Sequence, residues 1–125
     1  MSSMLVSTIG ASTETPALFT HAPIGPFLAT QDEVPNPQAL SMWLSVNGVK
    51  RQNSNTSNLV FGVKTLVSYL SQFMSLLPGD LISTGTPGGV GLGIKPNPVF
   101  LQAGDVVTLG IEGLGEQKQT AVAYK

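Results

Sequence analysis

The sequence lacks cysteine and has little charge. Its 125 residues include 6 Lys+Arg, 7 Asp+Glu and a single histidine, so charged residues make up 10% of the chain, against roughly 25% in an ordinary soluble domain. The absence of cysteine excludes disulfides, thiol nucleophiles and cysteine-ligated zinc or iron–sulfur sites. A net charge of −1 generates no field that would attract nucleic acid or an anionic membrane. No apolar run approaches the roughly 18 residues of a membrane span, so we predict neither partner.

What the chain does contain is enough apolar material to fold. Hydrophobic residues make up 42% of it and the mean hydropathy is +0.22, which excludes a disordered chain. Because a surface with so little charge is disfavoured in a free monomer, the composition favours an oligomer. Residues 1–18 are rich in Ser and Thr and contain no Lys or Arg, so they are not a secretory signal. We predict a divergent or disordered extension at 1–18, one domain at 19–125 and a cytoplasmic location.

Alternation and turn chemistry predict a β-hairpin over residues 42–52. Met42, Leu44 and Val46 alternate with more polar neighbours, as in a strand with one apolar face. Asn47-Gly48 is a strong hairpin turn because both residues tolerate positive φ. Around the hairpin, we predict a short strand at 27–29, a surface turn at 32–37 and a polar loop at 52–58.

A helix is predicted over Leu59–Leu77, packed against the core. Ser57 or Asn58 would cap its start, and Pro78-Gly79 would end it. Its polar face has only one basic residue, Lys64, which disfavours a membrane-surface helix. The apolar residues at i, i+3 and i+4 spacing are Val63, Leu66, Val67, Leu70, Phe73, Met74 and Leu77.

Short strands with glycine turns follow the helix. Gly79-Asp80 and Gly104-Asp105 each precede an apolar pair, and each predicts a turn that starts a strand, at 81–82 and at 106–111. A further strand is predicted at 118–124, after a turn at 113–115. The predicted fold class is therefore mainly β with one long helix (α+β).

The segment Thr84–Gly91 is the strongest candidate for a binding loop. It contains four glycines in eight residues, which let backbone approach a ligand closely. Its exposed amides and threonine hydroxyls are suited to a carboxylate or carbonyl oxygen. A phosphate-binding loop would need Lys followed by Ser or Thr where Leu92 and Gly93 stand, and no helix pattern follows as dinucleotide binding requires. A plain glycine-rich turn between strands remains open on spacing alone.

Neither the histidine nor the carboxylates suggest a catalytic or metal site. No Gly-x-Ser-x-Gly motif accompanies His21, so we predict a structural or exposed role for it. The carboxylates show no converging set of the kind that a hard cation needs. We therefore predict no catalytic residue and no metal ligand among Glu14, Asp32, Glu33, Asp80, Asp105, Glu112 and Glu116.

Nine segments, taken in order, point to one family: 22–26, 32–38, 43–48, 51–57, 69–74, 77–80, 84–91, 104–107 and 111–115. Together they resemble the C-terminal half of the fumarylacetoacetate hydrolase family. The resemblance extends over about residues 19–124, and the ending at 110–124 is most similar to the branch of ureidoglycolate lyases and diketo-sugar-acid hydrolases.

The resemblance implies a mixed β-roll and a homodimer that binds Mg²⁺ or Mn²⁺. Such proteins cleave, decarboxylate or isomerise small 2-oxo acids, because the cation polarises the substrate oxygens and stabilises an enolate. The family threonine that contacts substrate corresponds to Thr86, and Gly85 would allow close approach. These two are the expected substrate-binding residues.

The chain also departs from the family pattern. The family's metal ligands, a Glu-x-Glu pair and a later Asp, have no counterpart in this sequence. The active-site lysine position falls near Pro16, and the family Phe-Asp pair falls at Leu18-Phe19. We therefore expect a truncated family domain that binds no metal tightly and is inactive alone. Two alternatives stay open: a non-catalytic dimerisation or regulatory module that pairs with a full-length homologue, and a product that folds poorly.

Overall fold

A computed structural model describes residues 23–123, which form one four-stranded antiparallel sheet and one helix. The strand order is β2-β1-β3-β4. This confirms a mainly β chain with a single helix within the described part. The predictions for His21 and for residues 1–18 lie outside these residues. The elements are β1 Ser41–Val46, β2 Val49–Asn55, α1 Val63–Leu70, β3 Val106–Ile111 and β4 Glu116–Thr120.

The predicted hairpin is confirmed, and its turn also contacts the third strand. Asn47 and Gly48 have φ of 50° and 76°, the left-handed pair of a tight turn that matches the twist of the strands. The Asn47 side chain accepts a hydrogen bond from Val106 N at 2.8 Å. It also donates from Nδ2 to Asp105 Oδ1 at 2.8 Å. The turn residue therefore joins the hairpin to the start of β3.

β2 is longer than the sequence predicted and contains a bulge. Its polar residues reach Asn55, so the predicted loop at 52–58 is wrong. Pairing with the apolar strand β1 overrides the low strand propensity of these residues. Leu44 lies opposite Gln52 and Ser45 opposite Lys50, which leaves Arg51 without a partner residue on β1.

The predicted long helix is wrong in length and in capping. α1 begins at Val63 and has eight residues, because Gly62 before it is extended and the chain turns away after Leu70. Its first amide, Val63 N, donates to Gln38 Oε1 at 2.5 Å. The cap therefore comes from a residue 25 positions earlier in the chain rather than from Ser57 or Asn58. Such a partner is invisible to a local capping rule.

Few side chains are fully buried. In the described part, the buried hydrophobic residues are Ala29, Val34 and Leu114, with Leu40 and Ile111 packed partly against them. Helix α1 contributes no fully buried residue. The apolar face predicted to pack is half-buried at Val63, Leu66, Val67 and Leu70, so the expectation of core packing is met only in part. We name the exposed apolar side chains on and around α1 the helix-side apolar surface: Val60, Phe61, Tyr69, Phe73, Met74 and Leu77.

The two Gly-Asp turns have the same geometry but different outcomes. Leu77 N donates to Asp80 Oδ2 at 2.8 Å, and Gln102 N donates to Asp105 Oδ2 at 2.7 Å. Only the second starts a strand, because β3 pairs with both β1 and β4.

The remaining strand predictions meet mixed outcomes. β3 at 106–111 and the turn at 113–115 are confirmed. The strand predicted at 118–124 lies instead at Glu116–Thr120. The strand predicted at 81–82 is wrong, and the one at 27–29 is reduced to an isolated β-bridge at Ala29. Within residues 23–123, no helix has the length and apolar content of a membrane span.

Truncation of Leu114 should destabilise the chain strongly. Leu114 is 1% exposed, so Leu114→Ala removes buried methyl groups and leaves a cavity. We expect a loss of about 2–5 kcal/mol in the free energy of unfolding, measured by urea denaturation. Leu92→Ala is the matched control, because Leu92 is 70% exposed and its truncation should change stability by less than about 0.5 kcal/mol. Equal losses of unfolding free energy in the two variants would contradict the assignment of Leu114 to the core.

Acid should weaken the fold partly through Asp105. The backbone hydrogen bond from Gln102, and then the side-chain bond from Asn47, lower the pKa of Asp105 below its ordinary 3.8. Because the folded pKa is lower than the unfolded one, the ionised carboxylate stabilises the fold above pH 3.8. That contribution is lost as the pH falls through the folded pKa.

Asp105→Asn should therefore lose less stability than the wild type between about pH 6 and pH 2.5, measured by urea denaturation at each pH. The pKa values of Asp32 and Glu112 are also lowered, but both residues remain in the variant and cancel in the comparison. Identical pH dependence of the two proteins would show that Asp105 contributes nothing.

Candidate active-site groove

The glycine-rich segment borders an open groove of about 480 Å³. The opposite wall comes from the strands β1, β2 and β3. Most of the lining is apolar, and its polar side chains are Arg51, Gln52, Thr86 and Asp105. The apolar and glycine lining residues are Leu44, Val46, Gly89, Val90, Gly91, Leu92, Ile94, Val99, Phe100, Leu101 and Val107.

The bulge in β2 explains why two consecutive residues border the same groove. In a regular strand, successive side chains point to opposite faces. Arg51 is the extra residue of the bulge, and both Arg51 and Gln52 line the groove. Bulges commonly redirect side chains in this way beside active sites.

Gln52 connects β2 to the glycine-rich loop. Its Nε2 donates to Thr86 Oγ1 at 2.9 Å and to the carbonyl oxygen of Pro87 at 2.8 Å. One half-buried amide group therefore binds both a side chain and the backbone of the loop. This contact sets the position of Thr86 on the groove wall.

Two glycines allow the loop to lie directly against its neighbours. Gly89 has φ of +108°, and a Cβ atom there would lie 2.0 Å from the carbonyl oxygen of Arg51. A Cβ atom on Gly91 would lie 2.0 Å from the carbonyl oxygen of Val99, and Val99 N donates to Gly91 O at 3.0 Å. No residue with a side chain fits at either position without displacing the backbone.

The two residues expected to bind substrate occupy different positions. Thr86 borders the groove, but Gly85 is not among the groove-lining residues. Gly85 has φ of +96° and open space around it, so its glycine serves the bend of the loop. Sequence reasoning missed Arg51 and Gln52. No local signal marks Gln52, because its partners lie 34 and 35 positions away in the chain.

The described residues do not fit a Mg²⁺ or Mn²⁺ site. No group of three or more His, Cys, Asp or Glu side chains occurs within residues 23–123. The groove has one carboxylate, and both of its oxygens already accept hydrogen bonds, Oδ1 from Asn47 and Oδ2 from Gln102. A hard cation needs several free, converging oxygens. The other polar residues that line the described groove are Arg51, Gln52 and Thr86, none of which is a carboxylate.

The family model for fumarylacetoacetate (FAA) hydrolase C-terminal domains matches residues 11–122. The chain belongs to this family. Sequence relatives support the same assignment. A protein of Burkholderia lata with the provisional name of hydrolase is 61% identical over 100 residues, which cover 80% of this chain and 36% of that protein.

Solved structures of the family share the fold. A fumarylacetoacetate hydrolase from Exiguobacterium antarcticum superposes with a TM-score of 0.80 at 40% identity, covering 84% of this chain and 37% of that one. A maleylpyruvate hydrolase from Sphingobium sp. SYK-6, in complex with manganese (II) ion and pyruvate, superposes with a TM-score of 0.73 at 40% identity. The match covers 82% of this chain and 36% of that one. The chain thus spans little more than a third of the relatives it matches.

Substitution of Gly89 by alanine should displace the glycine-rich loop, whereas the same substitution at Gly88 should be tolerated. In Gly89→Ala, the new methyl group meets the Arg51 carbonyl oxygen and the backbone leaves a positive φ that alanine disfavours. We expect a loss of about 2 kcal/mol or more in unfolding free energy and shifted Thr86 and Gly91 amide resonances.

Gly88→Ala is the matched control, since a Cβ atom there meets nothing within 4 Å. It should leave both the unfolding free energy and the two resonances close to those of the wild type. A stable Gly89→Ala protein with unshifted loop resonances would show that the close approach of the loop to β2 is wrong.

Proposed function

We propose that this chain forms the acid-binding wall of a hydrolase or lyase that acts on acylpyruvate-type 2-oxo acids by C–C bond cleavage or decarboxylation. The observation that carries the proposal is the Thr86 hydroxyl at the groove wall, joined to Gln52 by a 2.9 Å hydrogen bond and sharing the groove with Arg51.

The groove suits a small organic anion. Carboxylate and oxo oxygens accept hydrogen bonds, and a carboxylate is also attracted to a guanidinium group. Leu44, Leu92 and Phe100 line the same groove and would contact the carbon chain of such a substrate. The pyruvate bound in the solved maleylpyruvate hydrolase supports this ligand class. Thr86 is proposed to donate to a substrate oxygen, and Gly85 to shape the bend that presents it.

Catalysis is proposed to need residues beyond the described groove. The family resemblance implies Mg²⁺ or Mn²⁺, and one solved relative contains manganese, yet the described residues offer no fitting ligand set. We therefore propose that the 125-residue chain is inactive alone. The assignment to the ureidoglycolate lyase and diketo-sugar-acid hydrolase branch rests on residues 110–124 alone, and this proposal does not depend on it.

The helix-side apolar surface favours a second candidate function, a non-catalytic module that pairs with a copy of itself or with a full-length homologue. Phe61 is 61% exposed, Phe73 67% and Leu77 67%, and water contact with so many large apolar side chains is unfavourable. Pairing would cover these side chains and close the open sheet toward the family's β-roll.

Assay of the purified chain decides between an active enzyme and an incomplete one. The assay contains Mn²⁺ or Mg²⁺ and an acylpyruvate, and the loss of substrate absorbance measures turnover. We expect no turnover above the uncatalysed rate. Robust turnover would contradict the proposed inactivity and would require a metal site outside the described residues.

Mass measurement of the chain, alone and mixed with the Burkholderia lata relative, tests pairing in the same preparation. Pairing predicts a complex that Phe73→Lys weakens, because burial of a lysine charge is costly. Val122→Lys is the control, since Val122 is 84% exposed and lies beyond β4. If the chain stays monomeric and forms no complex with the relative, the proposal of a pairing module is contradicted.

A further inference from the structure

We propose that Gln52 is a positioning residue that directs the hydroxyl proton of Thr86 into the groove. Thr86 would thereby present its hydroxyl proton as a hydrogen-bond donor toward a ligand. The inference rests on the proposed function for the identity of that ligand, but its structural half concerns only residues of this chain.

The orientation of the Gln52 amide follows from its partners. The carbonyl oxygen of Pro87 can only accept a hydrogen bond, so the amide atom facing it at 2.8 Å must be the nitrogen. An oxygen in that place would be repelled. The Nε2 atom carries two protons, and the second is directed at Thr86 Oγ1, 2.9 Å away.

The state of the Thr86 hydroxyl follows in turn. Because its oxygen accepts a hydrogen bond from Gln52, its own proton must be directed elsewhere. No acceptor for that proton occurs among residues 23–123. Thr86 borders the groove, so the proton is available to a carboxylate or oxo oxygen there. The contact with Gln52 therefore aims the hydroxyl donor at an acceptor ligand in the groove, which is the positioning role proposed for Gln52.

The surroundings of Gln52 fix its side chain. A Cβ atom on Gly89 would come within 3.1 Å of Gln52 Cγ, so the loop backbone lies directly over the glutamine stem. The bulge at Arg51 places the stem on the groove side of β2. Glutamate in the same place would turn a carboxylate oxygen toward Pro87 O and would accept the Thr86 proton itself.

The first test needs no ligand. Three-bond NMR couplings report whether the Thr86 side chain occupies one rotamer. We expect a single rotamer in the wild type, averaged couplings in Gln52→Leu, and wild-type couplings in the control Asn53→Asp, whose side chain is exposed on the neighbouring position of β2. Unchanged couplings in Gln52→Leu would overturn the positioning role.

The second test titrates pyruvate into the chain and follows the amide resonances of Gly85 and Thr86. Thr86→Val and Gln52→Glu should each weaken binding about tenfold, and Asn53→Asp, which adds the same charge, should not. If Gln52 acts through Thr86, the double variant Gln52→Leu/Thr86→Val, which adds no charge, binds pyruvate no more weakly than Thr86→Val alone. Losses that multiply in the double variant would overturn the inference.

The two tests separate the two proposals. A wild-type chain that takes up no pyruvate but shows a single Thr86 rotamer, averaged in Gln52→Leu, would contradict the proposed ligand and confirm the positioning. If the wild-type chain and the Gln52→Glu variant bind pyruvate equally well, the ligand class is confirmed and the positioning role of Gln52 is overturned.

Discussion

The close approach of the glycine-rich loop to the bulge of β2 is the contact on which the groove depends. At that point the backbone of Gly89 lies against the carbonyl oxygen of Arg51, where even a methyl group would overlap. The approach brings the Gln52 amide within reach of Thr86 and Pro87. Without it, the loop would carry the same sequence but would form no wall. A constraint on backbone shape thus determines where the chemistry of the loop is placed.

The groove and the helix-side apolar surface are both open to solvent, so the described residues do not form a closed domain. In an ordinary domain, apolar side chains on a helix and a sheet cover each other. Here α1 buries no residue, and the large side chains around it, such as Phe61 and Phe73, contact water. The members of the fumarylacetoacetate hydrolase family that match this chain are nearly three times as long as the matched segment. The extent of exposed apolar surface is consistent with a fold that the family completes with further chain.

Local chemistry predicted some elements and could not predict others. The hairpin followed from alternation and from Asn47-Gly48, because a tight turn depends on the conformations of its own residues. The start of α1 depended on Gln38, a partner distant in sequence, and the polar strand β2 depended on pairing with β1. For the site, the loop and Thr86 were predictable from composition and family resemblance. Gln52 was not, since its role arises from a contact across 34 positions.

The small number of buried apolar side chains has a thermodynamic consequence. The heat capacity change of unfolding grows with the apolar area newly exposed to water. Within residues 23–123, the buried apolar residues are only Ala29, Val34 and Leu114. Unfolding therefore exposes less new apolar area than it does in a closed domain of this length. The stability curve of the isolated chain should be shallow in temperature, and covering its open faces would make the curve steeper.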